Sequence, residues 1–258
     1  MRRVLTLILF VALMLSLPGL AKRMTQGFRV AKLRLDYPSQ PSWEVDPHPQ
    51  FHEILKQNYT FIGKGAQSYV FESEDGEYVI KLFRYDRVPT NEKVVHLFNA
   101  CKIAYDHLQE ETGLVYIHLN PTPMNLPVLH CRDAVGRNYK FPLDTVRFAL
   151  QKKAEPFKES FFAARHDPAL MHQRIDQFIE LLCARAGKEV LNSDPNIDRN
   201  FGFLADRAIE FDFGNYRLSP GLDRLAEIHR YAAKLRRWLT VNMPEWVPYL
   251  DQRLEKLQ

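Results

Sequence analysis

The sequence predicts an α+β fold with two lobes: a five-stranded antiparallel N-terminal lobe with one helix, and a small, mainly helical C-terminal lobe. The first observation is the order of patterns in residues 59–151, which runs three strands, one helix and two strands. The second is a series of helical patterns that starts at Pro168. With 258 residues, of which 46% are hydrophobic, the chain can bury a core of this size.

The N-terminal lobe, predicted over residues 56–152, opens with strands. Alternating β-branched and aromatic residues in YTFIGKG, SYVFES and EYVIKLFR predict a three-stranded meander. Residues 91–112 place apolar side chains three and four positions apart, which predicts a helix that ends at Gly113. Two further strands, predicted around 127–132 and 139–151, complete the antiparallel sheet.

The C-terminal lobe, predicted over residues 153–258, is reduced and mainly helical. An amphipathic pattern at 168–186, opened by a proline and stopped by Gly187, predicts its first long helix. The remaining elements are two short strands and two helices, predicted near 201–204, 208–211, 221–241 and 244–257.

The first 21 residues look like a targeting segment. An almost purely apolar run at 4–17 follows Arg2 and Arg3, and a G-x-A site ends at Ala21, which is the layout of a secretory signal. A spanning helix needs about 20 apolar residues, so a cleaved signal is favoured over an uncleaved anchor. Residues 1–21 therefore predict an exported or membrane-anchored protein, without choosing the side of the membrane.

Residues 22–55 are interpreted as a tether that lies along the domain surface. Four prolines within residues 37–50 remove amide donors and favour extended backbone. A basic cluster in the same stretch supports a further hypothesis, a membrane-surface protein that binds anionic lipid. The cluster comprises Lys22, Arg23, Arg29, Lys32 and Arg34.

Charge and cysteine content exclude several classes of function. The formal net charge of +4 is too small to predict nucleic-acid binding. Cys101, Cys131 and Cys183 are odd in number and widely spaced, so they predict neither a disulfide framework nor a zinc site. They are expected to be buried free thiols.

A glycine pair and a lysine in the predicted meander suggest phosphate binding. Gly63 and Gly65, in GKGAQSYV, join two strands, and glycine lets backbone N–H groups approach a phosphate closely. Lys81 lies in the middle of the strand YVIKLF, where a cation must snorkel to water or meet an anion. The alternatives are an ordinary hairpin and a solvated edge-strand lysine.

A magnesium site is predicted in the C-terminal lobe. Asp212 opens the tripeptide DFG after the apolar strand AIEF, and Asn200 lies twelve residues earlier, beyond a short turn. Magnesium binds oxygen ligands, usually one or two carboxylates together with phosphates. The sequence therefore predicts that Asn200 and Asp212 hold Mg²⁺.

The ordered set of G-x-G, strand lysine, Asn and DFG over residues 59–217 resembles the protein-kinase-like superfamily, in its compact bacterial or pseudokinase branches. The resemblance implies a two-lobed protein-kinase-like fold that binds ATP and Mg²⁺. It also implies that residues 151–155 form the connection against which the adenine ring lies. The nucleotide-binding residues it implies are Gly63, Gly65, Val70, Lys81, Gln151 and Lys153, and the metal ligands are Asn200 and Asp212.

The catalytic stretch departs from the family pattern. In the family, H-R-D is followed by four residues and Asn, but here the residue five before Asn200 is Pro195. The general base is therefore Asp194, one residue out of register, or Asp198, or it is absent. Asp194 is preferred, while Asp198 has a metal-binding or structural role as its alternative.

Two further departures bear on function. The predicted helix has no acidic residue between Lys93 and Tyr105 to pair with Lys81, so Glu92, Asp106 or Glu110 would need an altered register. Only 44 residues follow Gly214, which leaves no room for the usual platform for a protein substrate.

The leading hypothesis is an ATP- and magnesium-dependent phosphotransferase whose acceptor is a small molecule rather than a protein. Lys81 would orient the phosphates, and Asp194 would accept the proton of the acceptor. The alternative, favoured by the irregular base and the missing helix glutamate, is a catalytically inactive, pseudokinase-like binding module that is exported or membrane-associated.

Overall fold

The computed structural model describes residues 14, 16–17, 19–20, 22–33, 39–84 and 90–257. Its residues cluster in two compact units. The first unit contains the described part of 1–89 together with His118–Ala149, and the second contains Thr90–Ile117 and the described part of 150–258.

In the N-terminal part of the chain, the described residues between 49 and 152 form seven strands and three α-helices. In chain order they are α1 Pro49–Leu55, β1 Asn58–Lys64, β2 Ser68–Ser73, β3 Tyr78–Phe83, α2 Asn91–His107, α3 Gln109–Thr112, β4 Leu114–His118, β5 Val128–Arg132, β6 Asn138–Pro142 and β7 Phe148–Lys152. The predicted helix of residues 91–112 is thus broken at Leu108, and Gly113 ends its second part in the left-handed region with φ of 64°.

The C-terminal part of the chain is mainly helical, with short strands. In chain order its elements are β8 Glu155–Pro156, α4 Phe157–Ala164, α5 Pro168–Gly187, β9 Val190–Asn192, α6 Ile197–Asn200, β10 Phe201–Phe203, β11 Ala208–Glu210, β12 Tyr216–Leu218, α7 Arg224–Asn242 and α8 Val247–Glu255. The predicted helix at 168–186 and the strands near 201–204 and 208–211 are confirmed. The short helix α4 was not predicted.

Local capping explains where the long helices begin. Asp167 accepts the N–H of Leu170 (3.0 Å) with Pro168 in the first turn of α5, and Asp223 accepts the N–H of Ala226 (3.0 Å) at the start of α7. Each carboxylate binds an amide that has no partner inside its helix. Pro168 was the start signal used to predict α5 from the sequence, whereas the two capping aspartates are identified by the structure.

The largest sheet contradicts the predicted fold class beyond its α+β character. It has seven strands in the order β4-β7-β3-β2-β1-β5-β6. The β1–β2, β2–β3 and β5–β6 pairs are antiparallel, but β1 and β5 run parallel, so the sheet is mixed. The predicted five-stranded antiparallel lobe with one helix is therefore wrong. Two smaller sheets, β11-β10-β8 and β12-β9, belong to the second unit.

The number of strands predicted from the sequence was too low, partly because of a turn within residues 139–151. Residues 139–151 were predicted as one strand, but a 3-10 turn at Leu143–Thr145 divides them into β6 and β7. Asp144 in this turn accepts the N–H groups of Met124 (3.1 Å) and Leu126 (3.2 Å), which fixes the break. The apolar stretch LVYIH was also missed and forms β4.

The stretch interpreted as a tether contributes apolar side chains to the interior of the first unit. Its buried members are Phe28, Leu33, Trp43, Phe51 and Leu55. The ring of Phe28 lies 5.1 Å from that of Tyr69 and 5.2 Å from that of Phe71, in edge-to-face geometry. Lys64 and Tyr69 also donate hydrogen bonds to the carbonyl groups of Gln26 (2.9 Å) and Gly27 (2.6 Å).

Most of the predicted signal or anchor at residues 1–21 lies outside the described residues. Within the part of the chain that the structure describes, no helix combines the length and the apolar character needed to cross a membrane. Within the described residues the three cysteines form no disulfide bond; Cys101 and Cys131 are buried, as predicted, whereas Cys183 is half-buried. Burial raises the pKa of the Cys131 thiol to about 12.

The core of the second unit lies between its helices and the β10–β11 hairpin. Aromatic rings are prominent in it. The ring centroids of Phe157 and Phe161 in α4 lie 4.6 Å apart, and those of Phe178 in α5 and Phe201 lie 5.1 Å apart. Helices α5 and α7 pack against one another beside the hairpin. This packing gives the candidate site, which lies at the open end of the hairpin, a rigid support.

Candidate functional site

The β10–β11 hairpin brings Asn200 next to the DFG tripeptide. Phe201 pairs with Glu210 in the antiparallel ladder, and the N–H of Phe211 donates to the carbonyl oxygen of Asn200 (2.7 Å). Asn200 therefore lies opposite Phe211, the residue that precedes Asp212. Sequence reasoning predicted this neighbourhood from the short turn between the two strands, and the backbone pairing agrees with it.

Gly202 is the residue that lets this hairpin lie close to its third strand. Gly202 pairs with Pro156 of β8, and a Cβ atom at position 202 would lie 2.7 Å from the carbonyl oxygen of Glu155 and 3.0 Å from the ring of Phe211. Any larger residue at position 202 would force the backbones of β10 and β8 apart. Close backbone approach thus explains this glycine.

Asp194 is tied to Asn200 by the side chain of the asparagine. The Nδ2 atom of Asn200 donates a hydrogen bond to the main-chain carbonyl of Asp194 (3.2 Å). The one-turn helix α6 supports this contact, because the N–H of Asn200 donates to the carbonyl of Asn196 (3.1 Å). With Nδ2 engaged, the Oδ1 oxygen of Asn200 is the atom suited to bind a cation.

Asp198, the other candidate base, has a different environment. Its carboxylate forms an ion pair with Lys158 (2.8 Å) in which both side chains are substantially exposed. Asp212 is half-buried, and its Oδ1 oxygen accepts the N–H of Gly214 (3.3 Å). Asn200 therefore bonds to the main chain of Asp194 and of Phe211, the neighbour of Asp212, whereas the carboxylate of Asp198 is engaged with a lysine.

The donor set at Asn200 and Asp212 fits magnesium only in combination with other oxygen ligands. It supplies one amide oxygen and one carboxylate, which are hard ligands of the type that Mg²⁺ prefers. Across the described residues, no group of three or more His, Cys, Asp or Glu side chains is placed to hold a metal ion. Phosphate oxygens and water would have to complete the coordination.

The other predicted phosphate-binding residues lie side by side in the first unit. In the ladder of β1, β2 and β3, Gly63 pairs with Val70, and Val70 pairs with Lys81. Directly paired residues project from the same face of a sheet, so the half-buried side chains of Val70 and Lys81 share one face. The turn is closed by the N–H of Gly65, which donates to the carbonyl of Ser68 (2.9 Å).

The stretch predicted to contact an adenine ring contains one internal and one exposed side chain. Gln151 is fully buried, and its Nε2 donates to the carbonyl of Thr112 (2.5 Å). Lys153 is exposed. Since the Gln151 amide is engaged inside the second unit, this stretch can offer a ligand its main chain and the side chain of Lys153.

Two of the three acidic residues considered as partners for Lys81 form ion pairs inside the second unit. Asp106 pairs with Lys102 (2.6 Å), and Glu110 pairs with Arg207 (2.6 Å). Glu92 is exposed in the first turn of α2.

A buried polar cluster behind the site was missed by sequence reasoning. Arg185 of α5 donates to the carboxylates of Glu210 and Glu227, and Tyr216 donates to Glu210 (2.8 Å). Burial alone would lower the pKa of Arg185, but Glu210 together with Tyr231, Tyr216 and Glu227 outweighs it and raises that pKa above its usual value, so the guanidinium stays charged. The available signal was Glu210 itself, a charged residue within the apolar strand AIEF.

Comparison with models of known protein families finds no match to the chain, and a search of curated proteins finds no significant match. The candidate site is therefore interpreted from its own geometry and from the ordered motifs.

Proposed function

We propose that the protein is an ATP- and magnesium-dependent phosphotransferase of the protein-kinase-like class that acts on a small-molecule acceptor. The observation that carries the proposal is the arrangement around Asn200. Its Nδ2 atom donates to the Asp194 carbonyl (3.2 Å), while its main chain pairs beside Asp212. The residues that would supply an amide oxygen, a metal-binding carboxylate and a general base thus lie close to one another along the main chain of one unit, which supports the proposal.

The proposal gives each residue a separate chemical role. Asn200 and Asp212 would hold Mg²⁺, which, when bound, neutralises charge on the phosphates of the nucleotide. Asp194 would accept the proton of the acceptor hydroxyl as general base. The resemblance assigns phosphate binding to the glycine turn and to Lys81. Positioning and charge stabilisation would provide most of the rate acceleration.

A small acceptor is supported by the path of the chain after DFG. Only three residues after Asp212, Asn215 accepts a hydrogen bond from the N–H of Ser193 (3.4 Å), and Tyr216 then pairs with Asn192 in the β9–β12 ladder. Helix α7 begins soon afterwards, at Arg224. The segment that would form a platform for a protein substrate is replaced by this short strand.

The proposal is tested with the full chain and Mg²⁺-ATP. We expect millimolar Mg²⁺-ATP to raise the thermal unfolding temperature, since a ligand bound only to the folded state stabilises it by mass action. The Asp212→Ala variant should lose this shift. An unchanged unfolding temperature of the wild-type protein would overturn the proposal.

The identity of the base is tested by phosphate transfer to a panel of small hydroxyl and amine acceptors. Asp194→Asn should lower kcat by about 10²- to 10⁴-fold with ATP binding retained. Asp198→Asn removes the same charge from the exposed pair with Lys158 and serves as the matched control. Equal losses in both variants would contradict the assignment of Asp194.

A catalytically inactive binding module is the second candidate, and one feature favours it. An open groove of about 1010 Å³ in the second unit is lined by three rings, those of Trp246 and of His172 stacked on Tyr249 at 3.9 Å, together with charged and polar side chains. Aromatic rings provide large contact area at low entropic cost. If partner binding persists in the Asp212→Ala and Lys81→Ala variants while wild-type protein transfers no phosphate, the binding module is the correct function.

We further propose that residues 1–21 direct export or membrane anchoring. Their apolar run and G-x-A site support this. Sequencing the N-terminus of the mature protein from its native cells tests it: a chain that starts at Lys22 indicates a cleaved signal. An intact N-terminus in a protein absent from membrane and exported fractions would contradict the proposal.

A further inference from the structure

We infer that Asn192 is a positioning residue that holds the segments carrying Asp194 and Asp212 in fixed relation to each other. This inference rests on the proposed phosphotransferase function. Asn192 is fully buried at the end of β9 and is not among the site residues that were predicted from the sequence.

The side-chain amide of Asn192 bonds to both segments at once. Its Nδ2 donates to the Oε1 atom of Glu210 (2.6 Å), and its Oδ1 accepts the N–H of Asp194 (2.9 Å). Asn192 lies two residues before Asp194, and Glu210 lies two residues before Asp212. One planar amide therefore connects two segments. The first is the start of the loop that carries the candidate base Asp194, and the second is the strand that leads to the candidate metal ligand Asp212.

The partners of Asn192 are themselves immobilised. Glu210 also accepts hydrogen bonds from Arg185 and Tyr216, so its carboxylate cannot rotate freely. The main-chain carbonyl of Asn192 accepts from Arg230 (2.5 Å) and from the hydroxyl of Tyr231 (3.2 Å). Because these groups belong to α5, α7 and β12, the position of Asn192 is set by three surrounding elements.

The chemistry of this position requires an asparagine. An amide offers a donor and an acceptor in one plane, which the two contacts use on opposite sides. An aspartate would keep the acceptor for the Asp194 N–H but would place a second carboxylate against Glu210. Two carboxylates at this separation repel unless they share a proton. Asn192→Asp thus removes the hydrogen bond to Glu210, in the strand that leads to Asp212, and leaves the hydrogen bond from the N–H of Asp194.

The test is a kinetic double-mutant cycle on the full chain with Mg²⁺-ATP. We expect Asn192→Asp to lower kcat by about 10- to 100-fold, the range found when residues that orient functional groups are replaced. In the Asp194→Asn background the same substitution should lower kcat by a much smaller factor, because the alignment that it disturbs, that of the Asp212 strand against the Asp194 carboxylate, no longer contributes once that carboxylate is gone. A merely structural defect would lower kcat by the same factor in both backgrounds.

A matched control makes the same chemical change elsewhere in the second unit. Asn242→Asp replaces an amide whose Nδ2 donates to the carbonyl of Trp238 (2.8 Å) at the end of α7. We expect kcat to stay unchanged in this variant. A wild-type kcat in Asn192→Asp would overturn the inference and leave the phosphotransferase proposal standing. A wild-type protein that transfers no phosphate would overturn both.

A second variant keeps the inference testable if Asn192→Asp does not fold. Tyr231→Phe removes the hydroxyl that contacts the carbonyl groups of Asn192 and Asp194 (3.4 Å) while the ring is retained. We expect a smaller, several-fold loss of kcat that is again much reduced in the Asp194→Asn background. Tyr249→Phe, which removes a hydroxyl bound to Asp176 (3.0 Å), is the control. Additive losses in the Tyr231→Phe cycle would overturn the inference.

Discussion

The guanidinium of Arg185 donates a hydrogen bond to the carboxylate of Glu210 in the interior of the second unit, where the two side chains are 1% and 0% exposed. Arg185 also donates to Glu227 (2.9 Å), and its guanidinium lies over the ring of Tyr231 at 4.3 Å. Arg230 supplies a second positive charge to Glu227 (2.8 Å). Two buried carboxylates are thus balanced by two guanidinium groups directly behind the candidate site.

Removing Arg185 should strongly destabilise the protein. Arg185→Met leaves the Glu210 carboxylate buried without its cation, and breaking a buried pair in this way costs about 3–5 kcal/mol. The measurement is urea unfolding followed by far-ultraviolet circular dichroism. Arg236→Met is the matched control, because Arg236 pairs with Asp251 (2.9 Å) at the surface, where solvent screens the pair, and the variant should lose far less stability. Equal losses would contradict the role assigned to Arg185.

Gly202→Ala should destabilise the second unit and disturb the hairpin that carries Asn200. The added methyl group would lie 2.7 Å from the carbonyl oxygen of Glu155, so backbone must move, at a cost of about 1–3 kcal/mol. Gly187→Ala provides the control, since a Cβ atom there meets nothing within 4 Å at the end of α5. That change should be neutral or stabilise by up to about 1 kcal/mol. Both are measured by thermal unfolding.

The parts of the fold that were predictable are those specified by neighbouring residues. Helix α5 follows from the proline at its first turn and an apolar stripe, and its cap is the adjacent Asp167. The β10–β11 hairpin follows from two apolar strands with a short turn between them, and it accounts for the closeness of Asn200 to the DFG tripeptide. In both cases the residues that interact are close in sequence, so the local residue pattern is sufficient to predict the structure.

The sheet was not predictable in the same way because its pairing is not local. The parallel pair of β1 and β5 joins Thr60 to Arg132 across more than seventy residues, and no turn signal marks such a pair. Within 139–151, the alternating pattern covers only residues 146–151, and extending the strand back to Tyr139 concealed the 3-10 turn at Leu143–Thr145. Asp144 causes that turn by binding amides some twenty residues earlier in the chain.

The candidate site shows the same limit. Asn200 and Asp212 could be identified as functional residues because their types and spacing match a motif. Asn192 could not, since its role depends on Glu210, which lies eighteen residues further along the chain, and on Tyr231 of α7. A polar residue at the end of a short strand has no distinctive pattern. Only the three-dimensional contacts identify its partners.

Phe28→Ala should release the segment that precedes the first strand. Phe28 is 3% exposed among the rings of Tyr69, Phe71 and Tyr139, and truncating a buried phenylalanine costs about 3–5 kcal/mol. Because the basic residues around Phe28 are trypsin sites, limited proteolysis of the variant should cut this segment faster than in the wild type.

The control for Phe28 retains the ring cluster and removes one hydrogen bond. Tyr69→Phe loses the donation to the Gly27 carbonyl (2.6 Å), which should cost about 1 kcal/mol and raise the cleavage rate only slightly. If Phe28→Ala is cleaved no faster than Tyr69→Phe, the segment is not held by the aromatic cluster.

Stability of the first unit should fall as the pH drops below about 6.5, and His118 should cause part of that fall. Burial lowers the pKa of His118 although Asp144 and Glu44 oppose the effect, and its Nε2 atom is buried without a hydrogen-bond partner among the described residues. The folded state thus keeps the imidazole neutral at a pH where the unfolded chain protonates it. The unfolded state then binds more protons, so the free energy of unfolding decreases as pH falls.

His118→Leu tests this dependence, because it removes the titrating group and keeps an apolar side chain beside Phe148, whose ring lies 5.5 Å from the imidazole. Urea unfolding at pH 7.5 and 5.5 should show a steeper loss for the wild type than for the variant. The difference has an upper limit of about 1.4 kcal/mol per pH unit for one group. Equal slopes in the two proteins would mean that His118 takes up its proton equally well in the folded and unfolded states, contrary to its buried position.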